Sequence, residues 1–324
     1  MLSVTGGVWV IGRSSVPGPT VPSRPHTIDA RTASRVATPR LPVLGAAFGA
    51  PDAERARLAT HERSGLDCTI MAHGAVFFIS DAHLGAAPPD REAERTARLH
   101  DFLNSLPGRA EALFIVGDLF DFWFEYREAI PRRCFDTLAV LRRLREAGIE
   151  LVYLNGNHDF WLGDFLRETI GIRTHHDSLP VERQGRRIWL HHGDGLIGGD
   201  LGYRMLKRVI RSPACIALYR LLHPDLGIPF AHWVSHFSRE SRDELRFDGD
   251  RMWREIAEPR FAQGYDAVMI GHFHRTYERR EAGREFFVLG DWIRHFSYVA
   301  LEQGRLRLDV WPAQGARLPE AVLR

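Results

Sequence analysis

The chain has 324 residues, of which 44% are hydrophobic, and a formal net charge of +2. It is long enough for one large domain or two small ones, and it can bury a full core. The nearly balanced charge excludes the basic signature of a general nucleic-acid-binding protein, and no run approaches the roughly 18 apolar residues of a membrane span. The three cysteines are scattered, so neither a disulfide framework nor a thiolate zinc site is indicated, which fits a reducing cytoplasm.

The first part of the chain, residues 1–70, differs from the rest. It is rich in Pro, Ser, Thr, Gly and Arg and shows no sustained helical or strand periodicity. No basic segment precedes its mildly apolar start, so a secretory signal is not predicted. We expect either a disordered tail or an extension created by a wrongly placed gene start. The second is favoured because Met71 lies directly before the first predicted strand, which leaves residues 71–324 as the functional domain.

From residue 75 onward the hydrophobic pattern is regular. Short apolar runs indicate buried strands, and longer runs with a period near 3.6 indicate helices. Strands are predicted at 75–80, 112–116, 150–154, 187–190, 267–270, 285–289, 297–301 and 305–311, and helices at 91–106, 131–147 and 161–170. The β-α-β-α-β order at the start predicts a parallel sheet. Together these elements predict an α/β fold in which two sheets are flanked by helices.

Residues 199–264 interrupt the strand pattern and predict a helical cap insertion. Short helices are expected at 200–211, 214–222 and 229–237. They combine apolar residues with the basic residues Arg204, Lys207, Arg208, Arg211 and Arg220. Two interpretations stay open. The cap either has an ordinary solvated basic face, or it is a lid that grips an acyl chain and rests on an anionic membrane surface.

Five short motifs place polar side chains at the ends of predicted strands. They are Asp81-Ala82-His83, Gly117-Asp118, Gly156-Asn157-His158-Asp159, His192-Gly193-Asp194 and Gly271-His272-Phe273-His274. Open α/β sheets bind ligands at the carboxyl ends of their strands, so we expect these side chains to meet. On an extended strand end, Asp81 and His83 would point the same way. Carboxylate, amide and imidazole groups suit manganese, iron or zinc, and the set predicts a paired-metal site that cleaves phosphate esters.

The order and identity of the five motifs resemble the calcineurin-like metallophosphoesterase superfamily. The resemblance implies an α/β/β/α sandwich of two mixed sheets with a helical cap. It also implies two divalent metal ions, with manganese preferred and iron or zinc as alternatives. By the family pattern, one metal is bound by Asp81, His83 and His274, and the other by Asn157, His192 and His272. Asp118 would bridge the two metals and belong to the catalytic centre.

His158 is the candidate for a catalytic histidine that does not bind metal. It could hydrogen-bond a phosphoryl oxygen or protonate the leaving group, with Asp159 orienting it. The alternative is that His158 only packs the turn. Asp121 and Asp194 are expected to hold loops or metal ligands in place. Three further histidines are expected to be structural: His175, His176 and His191.

A finer resemblance, over about residues 75–310, is to the UDP-2,3-diacylglucosamine hydrolases of the lipid A pathway. It rests on the stretch Gly117-Asp-Leu-Phe-Asp-Phe-Trp123 and on the residues that follow His192 at the family's offsets. By this resemblance, the substrate-binding residues are Asn157, His158, Asp200, Tyr203, Arg239, Arg242 and His272. The best-known branch of that family has arginine at the position of His158. This chain carries the general superfamily motif instead, together with Gly290-Asp291 near its end.

The resemblance implies hydrolysis of the pyrophosphate of UDP-2,3-diacylglucosamine to UMP and lipid X, the diacylglucosamine 1-phosphate. The implied partners are a lipid-linked UDP-sugar and a membrane surface, with no nucleic acid. The implied location is cytoplasmic, peripheral to the inner face of the inner membrane. Two other functions remain open. One is a phosphoesterase for soluble phosphomonoesters or phosphodiesters such as nucleotides, and the other is a non-catalytic metal-binding scaffold, which the intact motifs disfavour. The oligomeric state is not indicated.

Overall fold

The computed structural model describes residues 74–197, 201–240 and 247–312, without the side chains of residues 201–204, 206 and 233–240. The expectation for residues 1–70 therefore lies outside the described residues. The strands are β1 (Ala75–Ile79), β2 (Ala110–Val116), β3 (Glu150–Leu154), β4 (Arg173–His175), β5 (Ser178–Arg183), β6 (Arg186–His191), β7 (Ala267–Ile270), β8 (Thr276–Glu281), β9 (Arg284–Leu289), β10 (Ser297–Glu302) and β11 (Arg305–Val310). The α-helices are α1 (Pro89–Asn104), α2 (Phe135–Glu146), α3 (Leu201–Ile210), α4 (Pro213–Tyr219), α5 (Pro224–Glu240), α6 (Gly249–Met252) and α7 (Glu258–Phe261).

The strands form two mixed sheets. The first has the order β11-β10-β1-β2-β3-β4 and the second the order β5-β6-β7-β9-β8. Strands β1 to β4 run parallel, as the β-α-β-α-β order predicts. Strand β10 pairs antiparallel with β1, and β11 pairs antiparallel with β10. In the second sheet β6, β7 and β9 are parallel, while β5 and β8 are antiparallel edge strands. Parallel strands thus occupy the centre of both sheets.

The side chains of β1 alternate between two cores, because successive residues of a strand point to opposite faces. Phe78 faces the second sheet and stacks on Phe114 of β2, with 5.1 Å between ring centroids. Phe77 and Ile79 instead pack with α1 and α2 on the outer face of the first sheet. Helices α6 and α7, with the π-helical turn Trp253–Ala257 between them, cover the outer face of the second sheet. The predicted α/β/β/α sandwich is confirmed.

Three strands were not predicted from the sequence, and all three lie at sheet edges. These are β4, β5 and β8. Edge strands tolerate polar and charged residues, so no apolar run marks them. As a result His175, expected in a polar connection, ends strand β4. The helix predicted at 161–170 is reduced to the π-helical turn Leu166–Ile170.

Helices α3 to α5 occupy the stretch between β6 and β7 that was expected to be helical. Helix α5 begins at Pro224 and continues through Pro229, where the sequence analysis places its start. The discrepancy arises because proline commonly occupies the first helical turn, which makes an internal proline look like a beginning. Across the described part of the chain, every helix is too short or too polar to traverse a bilayer.

Candidate metal and phosphoester site

Five loops meet at one edge of the sandwich, and each follows a strand. They carry Asp81 after β1, Asp118 after β2, Asn157 after β3, His192 after β6 and His272 after β7. These strands lie at the parallel centres of the two facing sheets, so their carboxyl ends share one edge. The polar side chains of the five motifs consequently come together at this edge.

The first group consists of Asp81, His83 and His274. Nε2 of His83 lies 3.7 Å and Nε2 of His274 lies 3.6 Å from Oδ1 of Asp81. The two imidazole rings stack at 4.8 Å between centroids. Three donor atoms within 4.8 Å of one another match the spacing of ligands that each sit about 2.0–2.2 Å from one metal ion.

Asp118 connects this group to the second one. Its Oδ2 lies 3.4 Å from Nε2 of His83 and 3.2 Å from Nε2 of His192. Nε2 of His192 is also 3.0 Å from Oδ1 of Asn157, and the rings of His192 and His272 are 5.2 Å apart. One carboxylate oxygen thus faces both groups, which is the placement that a bridging ligand requires. The ligand roles themselves stay predictions.

Three of these histidines share one arrangement. In each ring Nε2 faces a carboxylate of the centre, while Nδ1 faces an acceptor on the outside. The outer acceptors are an Asp121 oxygen for His83 at 3.5 Å, an Asp291 oxygen for His274 at 3.7 Å and the Val116 carbonyl for His192 at 3.0 Å. Outer acceptors of this kind fix the tautomer and the orientation of metal-binding histidines.

Unsatisfied buried atoms indicate what the site accepts. Oδ1 of Asp81 and Nε2 of His83, which face the centre, are buried and make no hydrogen bond. Buried polar atoms normally have a hydrogen-bond partner, and the polypeptide supplies none to these two atoms. They are therefore available to bind a metal ion. The carboxylate, imidazole and amide donors suit a divalent ion such as manganese, iron or zinc. The residues therefore fit a pair of divalent metal ions.

Backbone strain is concentrated at the same positions. Ten non-glycine residues in the described part have a positive φ, and five of them are Asp81, His83, Asp118, His272 and His274, with φ between 45° and 73°. Such conformations cost on the order of 1–3 kcal/mol each and persist where the surroundings enforce them. The expectation that an extended strand end aligns Asp81 with His83 is wrong. Strand β1 ends at Ile79, and the left-handed conformations of both residues bring their side chains together.

Steric crowding explains why glycines lie beside the predicted ligands. A Cβ atom at Gly156 would collide with the backbone and carboxylate of Asp118. A Cβ atom at Gly271 would collide with Ser80 and Asp81. The loops thus approach one another more closely than any other residue allows, which explains why the motifs pair a ligand with glycine.

Burial and charge set the protonation of the centre. Burial raises the pKa of Asp81 and Asp118, but the neighbouring histidines outweigh it, so both pKa values fall below the usual range, that of Asp118 well below. Burial likewise lowers the pKa of His83 and His192, but the Asp118 carboxylate and the other acidic neighbours raise these values to about 9 and about 10. Without metal, charged carboxylates and protonated imidazoles therefore neutralise one another at neutral pH.

His158 borders the centre without belonging to either predicted ligand group. Its backbone N–H donates to Oδ1 of Asp118 at 2.9 Å, and its Nδ1 lies 3.2 Å from the carbonyl oxygen of Asp121. The His158 ring packs edge-on against that of His83, with 4.6 Å between centroids. This position beside the bridging carboxylate is suitable for contact with a bound phosphoryl group.

The expectation that Asp159 orients His158 is wrong. The Asp159 carboxylate is fully buried and accepts hydrogen bonds from the backbone N–H groups of Gly156 and Asp118 and from the Tyr153 hydroxyl. Burial raises the pKa of this carboxyl to about 6. Asp159 therefore joins the loops after β2 and β3 from beneath. The carboxylate near the ring of His158 is Asp121, 3.6 Å from its Nδ1.

Asp194, expected to hold a loop or a metal ligand, and His191, expected to be structural, both contact the loop that follows β6. Oδ2 of Asp194 lies 2.7 Å from Nζ of Lys207 on α3. Nδ1 of His191 accepts a hydrogen bond from the Gly193 N–H at 2.7 Å, and burial lowers its pKa to about 4. Both contacts brace the loop that carries His192.

Four predicted substrate contacts are not placed by the structure. Asp200 and Arg242 lie outside the described residues. Tyr203 and Arg239 lie on α3 and α5, but their side chains are outside the description. One residue that contacts the site was not assigned a role from the sequence, namely Asp291. It follows strand β9, and the Gly290-Asp291 pair repeats the glycine-and-carboxylate pattern of the other loops, which is the signal that could have identified it.

Asp291 allows the role of the outer acceptors to be tested. Its Oδ1 accepts hydrogen bonds from the N–H groups of residues 293–295. Its Oδ2 lies 3.0 Å from Nδ1 of His295 and 3.7 Å from Nδ1 of His274. Asp291→Asn therefore keeps the acceptor for the loop and replaces the oxygen that faces His274 by a donor. We expect the affinity for Mn²⁺ to fall about 10–100-fold, measured by calorimetric titration of the metal-free protein. Asp309→Asn, on β11, is the control and should bind as the wild type does. Equal affinity of Asp291→Asn and the wild type would contradict the role.

Metal binding should depend on pH, because protons must leave the site. The raised pKa values of His83 and His192, about 9 and about 10, keep both rings protonated at pH 7 in the metal-free protein. We expect the Mn²⁺ affinity to rise from pH 7 toward pH 9, since fewer protons are displaced at higher pH. Calorimetry in two buffers with different ionisation enthalpies counts the released protons. A pH-independent affinity, with no proton release, would be the contrary result.

Comparison with known proteins agrees with this site. The family model for calcineurin-like phosphoesterases matches residues 74–276, a range that contains all seven predicted metal ligands. A protein of Porphyromonas gingivalis named UDP-2,3-diacylglucosamine hydrolase is 30% identical over 256 residues, which covers 72% of this chain and 96% of the relative. Proteins of the same name from Stenotrophomonas maltophilia and Neisseria meningitidis serogroup B are 31% identical over 246 residues and 30% identical over 240 residues. These alignments cover 72% of this chain in both cases and 96% and 93% of the relatives. The chain therefore belongs to the calcineurin-like phosphoesterase family and is a metal-dependent phosphoester hydrolase.

Proposed function

We propose that this protein hydrolyses the pyrophosphate of UDP-2,3-diacylglucosamine to UMP and 2,3-diacylglucosamine 1-phosphate, with manganese as the metal. The observation that carries the proposal is the extent of the similarity. Relatives named for this substrate align over 93–96% of their own length at 30–31% identity. The range matched by the family model, residues 74–276, contains every predicted metal ligand.

The predicted ligands would hold two divalent ions, which supply Lewis-acid stabilisation of the phosphoryl oxygens and an activated water as the nucleophile. Asp118 would link the two predicted metal sites, because its Oδ2 lies close to both His83 and His192. The depressed pKa of Asp81 and Asp118 keeps both carboxylates ionised at neutral pH. The outer acceptors Asp121 and Asp291 hold the ligand rings in the orientation described above.

We assign proton donation to His158. Its Nδ1 lies at hydrogen-bond distance from the carbonyl oxygen of Asp121 and would donate to it. When the ring is protonated on both nitrogens, Nε2 would donate to a phosphoryl oxygen or to the departing phosphate. Its side chain is 7% exposed, and a donor held in such a water-poor position strengthens its interaction with developing negative charge. By the family resemblance, attack occurs at the phosphorus of the uridine side.

Two cavities beside the site offer room for the substrate. One of about 1010 Å³ lies between the loop after β1, residues 129–134 and α5, and is lined by both Leu84 and Ile228. The other, of about 450 Å³, is lined by Phe160, Trp161 and Arg211, among others. Apolar surface close to arginine side chains suits a molecule with acyl chains and phosphates. This combination favours the lipid-linked substrate over a soluble nucleotide.

The helices over the site also expose an unusual amount of apolar surface. The exposed residues are Met205, Val209, Leu218, Leu221, Leu222, Leu226 and Phe230, with 42–81% of each accessible. Arg208 on α3 is also exposed, as is Arg220, which lies with Leu221 and Leu222 in the turn between α4 and α5. Apolar side chains with flanking cations bind anionic membrane surfaces. We propose that this face attaches the protein peripherally to the cytoplasmic side of the inner membrane, where its substrate lies.

The substrate is tested by assaying the Mn²⁺-loaded full chain on UDP-2,3-diacylglucosamine and on bis-p-nitrophenyl phosphate, with Asp118→Ala as the blank. We expect release of UMP and the lipid 1-phosphate, reduced by more than about a hundredfold in Asp118→Ala, since loss of a bridging ligand exceeds the effect of losing an outer partner. Cleavage of the soluble ester alone would contradict the lipid substrate and indicate a phosphoesterase that acts on soluble esters. Metal binding without cleavage of either would indicate a scaffold.

Membrane attachment is tested by flotation with vesicles that contain anionic phospholipid. Leu218→Glu, Leu221→Glu and Leu226→Glu together should abolish flotation, because each buried leucine contributes about 1.5–3 kcal/mol and each new charge is repelled by the surface. Phe135→Glu is the matched control, since Phe135 is 65% exposed but lies on α2. Flotation of the triple variant at the wild-type level would contradict the proposal that this face binds the membrane.

A further inference from the structure

Asp121 lies just outside the predicted ligand set and faces three histidines. Its Oδ1 is 3.5 Å from Nδ1 of His83 and 3.6 Å from Nδ1 of His158. Its Oδ2 is 3.0 Å from Nδ1 of His232. The carboxylate is 1% exposed, and a carboxylate buried to this extent requires hydrogen-bonding or charged partners. The orientation of one buried group therefore affects a predicted metal ligand and the proposed proton donor together.

His232 differs from the other two histidines because it belongs to α5 and not to the loops of the sandwich. Its ring reaches down to the site, with its centroid 5.9 Å from that of Phe122. It also covers Gly85, where a Cβ atom would lie 3.7 Å from Cε1 of His232. A separation of 3.0 Å is a hydrogen-bond distance. Helix α5 thus binds one oxygen of Asp121 and leaves the other oxygen turned toward His83 and His158.

We propose that His232 is a positioning residue of the phosphoesterase centre, which holds Asp121 and, through it, the rings of His83 and His158. By this contact the helix above the site sets the geometry within it. The inference rests on the proposed phosphoesterase site but not on the identity of its lipid substrate. Asp121 and His232 also line the cavity of about 1010 Å³, so a molecule bound there lies against both members of the pair.

The first test measures metal affinity and turnover separately in the full chain. His232→Ala removes the donor to Asp121, and we expect Mn²⁺ affinity by calorimetry to fall about tenfold, at the lower end of the effect of losing an outer partner. The kcat for bis-p-nitrophenyl phosphate should fall similarly, with KM nearly unchanged because this small ester makes few contacts with α5. In His232→Asn the amide nitrogen can replace Nδ1 as the donor. This variant should therefore keep most of the wild-type Mn²⁺ affinity and most of the wild-type kcat.

The second test asks whether His232 acts through Asp121. We expect His232→Ala combined with Asp121→Asn to be no worse than Asp121→Asn alone, because residues that act in one chain of contacts are not additive. His223→Ala is the matched control. His223 precedes α5 and its side chain is 69% exposed, so both metal affinity and kcat should match the wild type.

Three results would overturn the proposal. They are additive losses in the double variant, unchanged metal affinity in His232→Ala, and a His232→Asn variant that is folded by circular dichroism yet as impaired as His232→Ala. The metal titrations decide the matter independently of catalysis. If the wild type cleaves bis-p-nitrophenyl phosphate but not UDP-2,3-diacylglucosamine, and His232→Ala still lowers the metal affinity, the proposed substrate is refuted and this inference stands.

Discussion

The burial of two carboxylates, Asp81 and Asp118, is the constraint from which the rest of the site follows. Their side chains are 0% and 1% exposed, and an uncompensated charge at such depth would cost several kcal/mol. Backbone N–H groups of His272 and His158 donate to them at 2.8 and 2.9 Å. These donors can approach only because Gly271 and Gly156 leave room. The left-handed conformations at the predicted ligands are the second consequence, since they turn the chain back toward the two carboxylates.

The same constraint explains why the strain is tolerated. The strained residues follow β1, β2 and β7, which are central, parallel and buried on both faces. The core between the sheets fixes the ends of these strands, so the loops cannot relax without disturbing stacked pairs such as Phe78 and Phe114. Rigid strands thus hold the side chains of the predicted ligands in place. A divalent ion bound there would replace the protons of His83 and His192 with the backbone already in position.

The central strands and the meeting of the five motifs could be predicted from the sequence because both depend on local patterns. Apolar runs mark buried strands, and the strand order brings their ends together. Edge strands β4, β5 and β8 could not be found, since their residues are polar. The misassignment of Asp159 has a different origin. Adjacency in sequence suggested that it serves His158, whereas Asp121 serves that ring from another loop. Partners separated by long stretches of chain, such as Asp291 and His274 or Asp121 and His232, leave no local pattern.

Helices α3 and α5, with the turn that follows α3, make polar contacts with three different loops of the site. Lys207 pairs with Asp194, Arg211 donates to the Gly156 carbonyl at 3.0 Å, and His232 contacts Asp121. Each partner lies within three residues of a predicted metal ligand, so the described side chains of this region contact the loops directly beside the ligands. Such contacts leave the ligand set unchanged while they adjust its orientation. If the proposed role of His232 holds, a change in these helices would alter both the cavity proposed for the substrate and the placement of the predicted ligands.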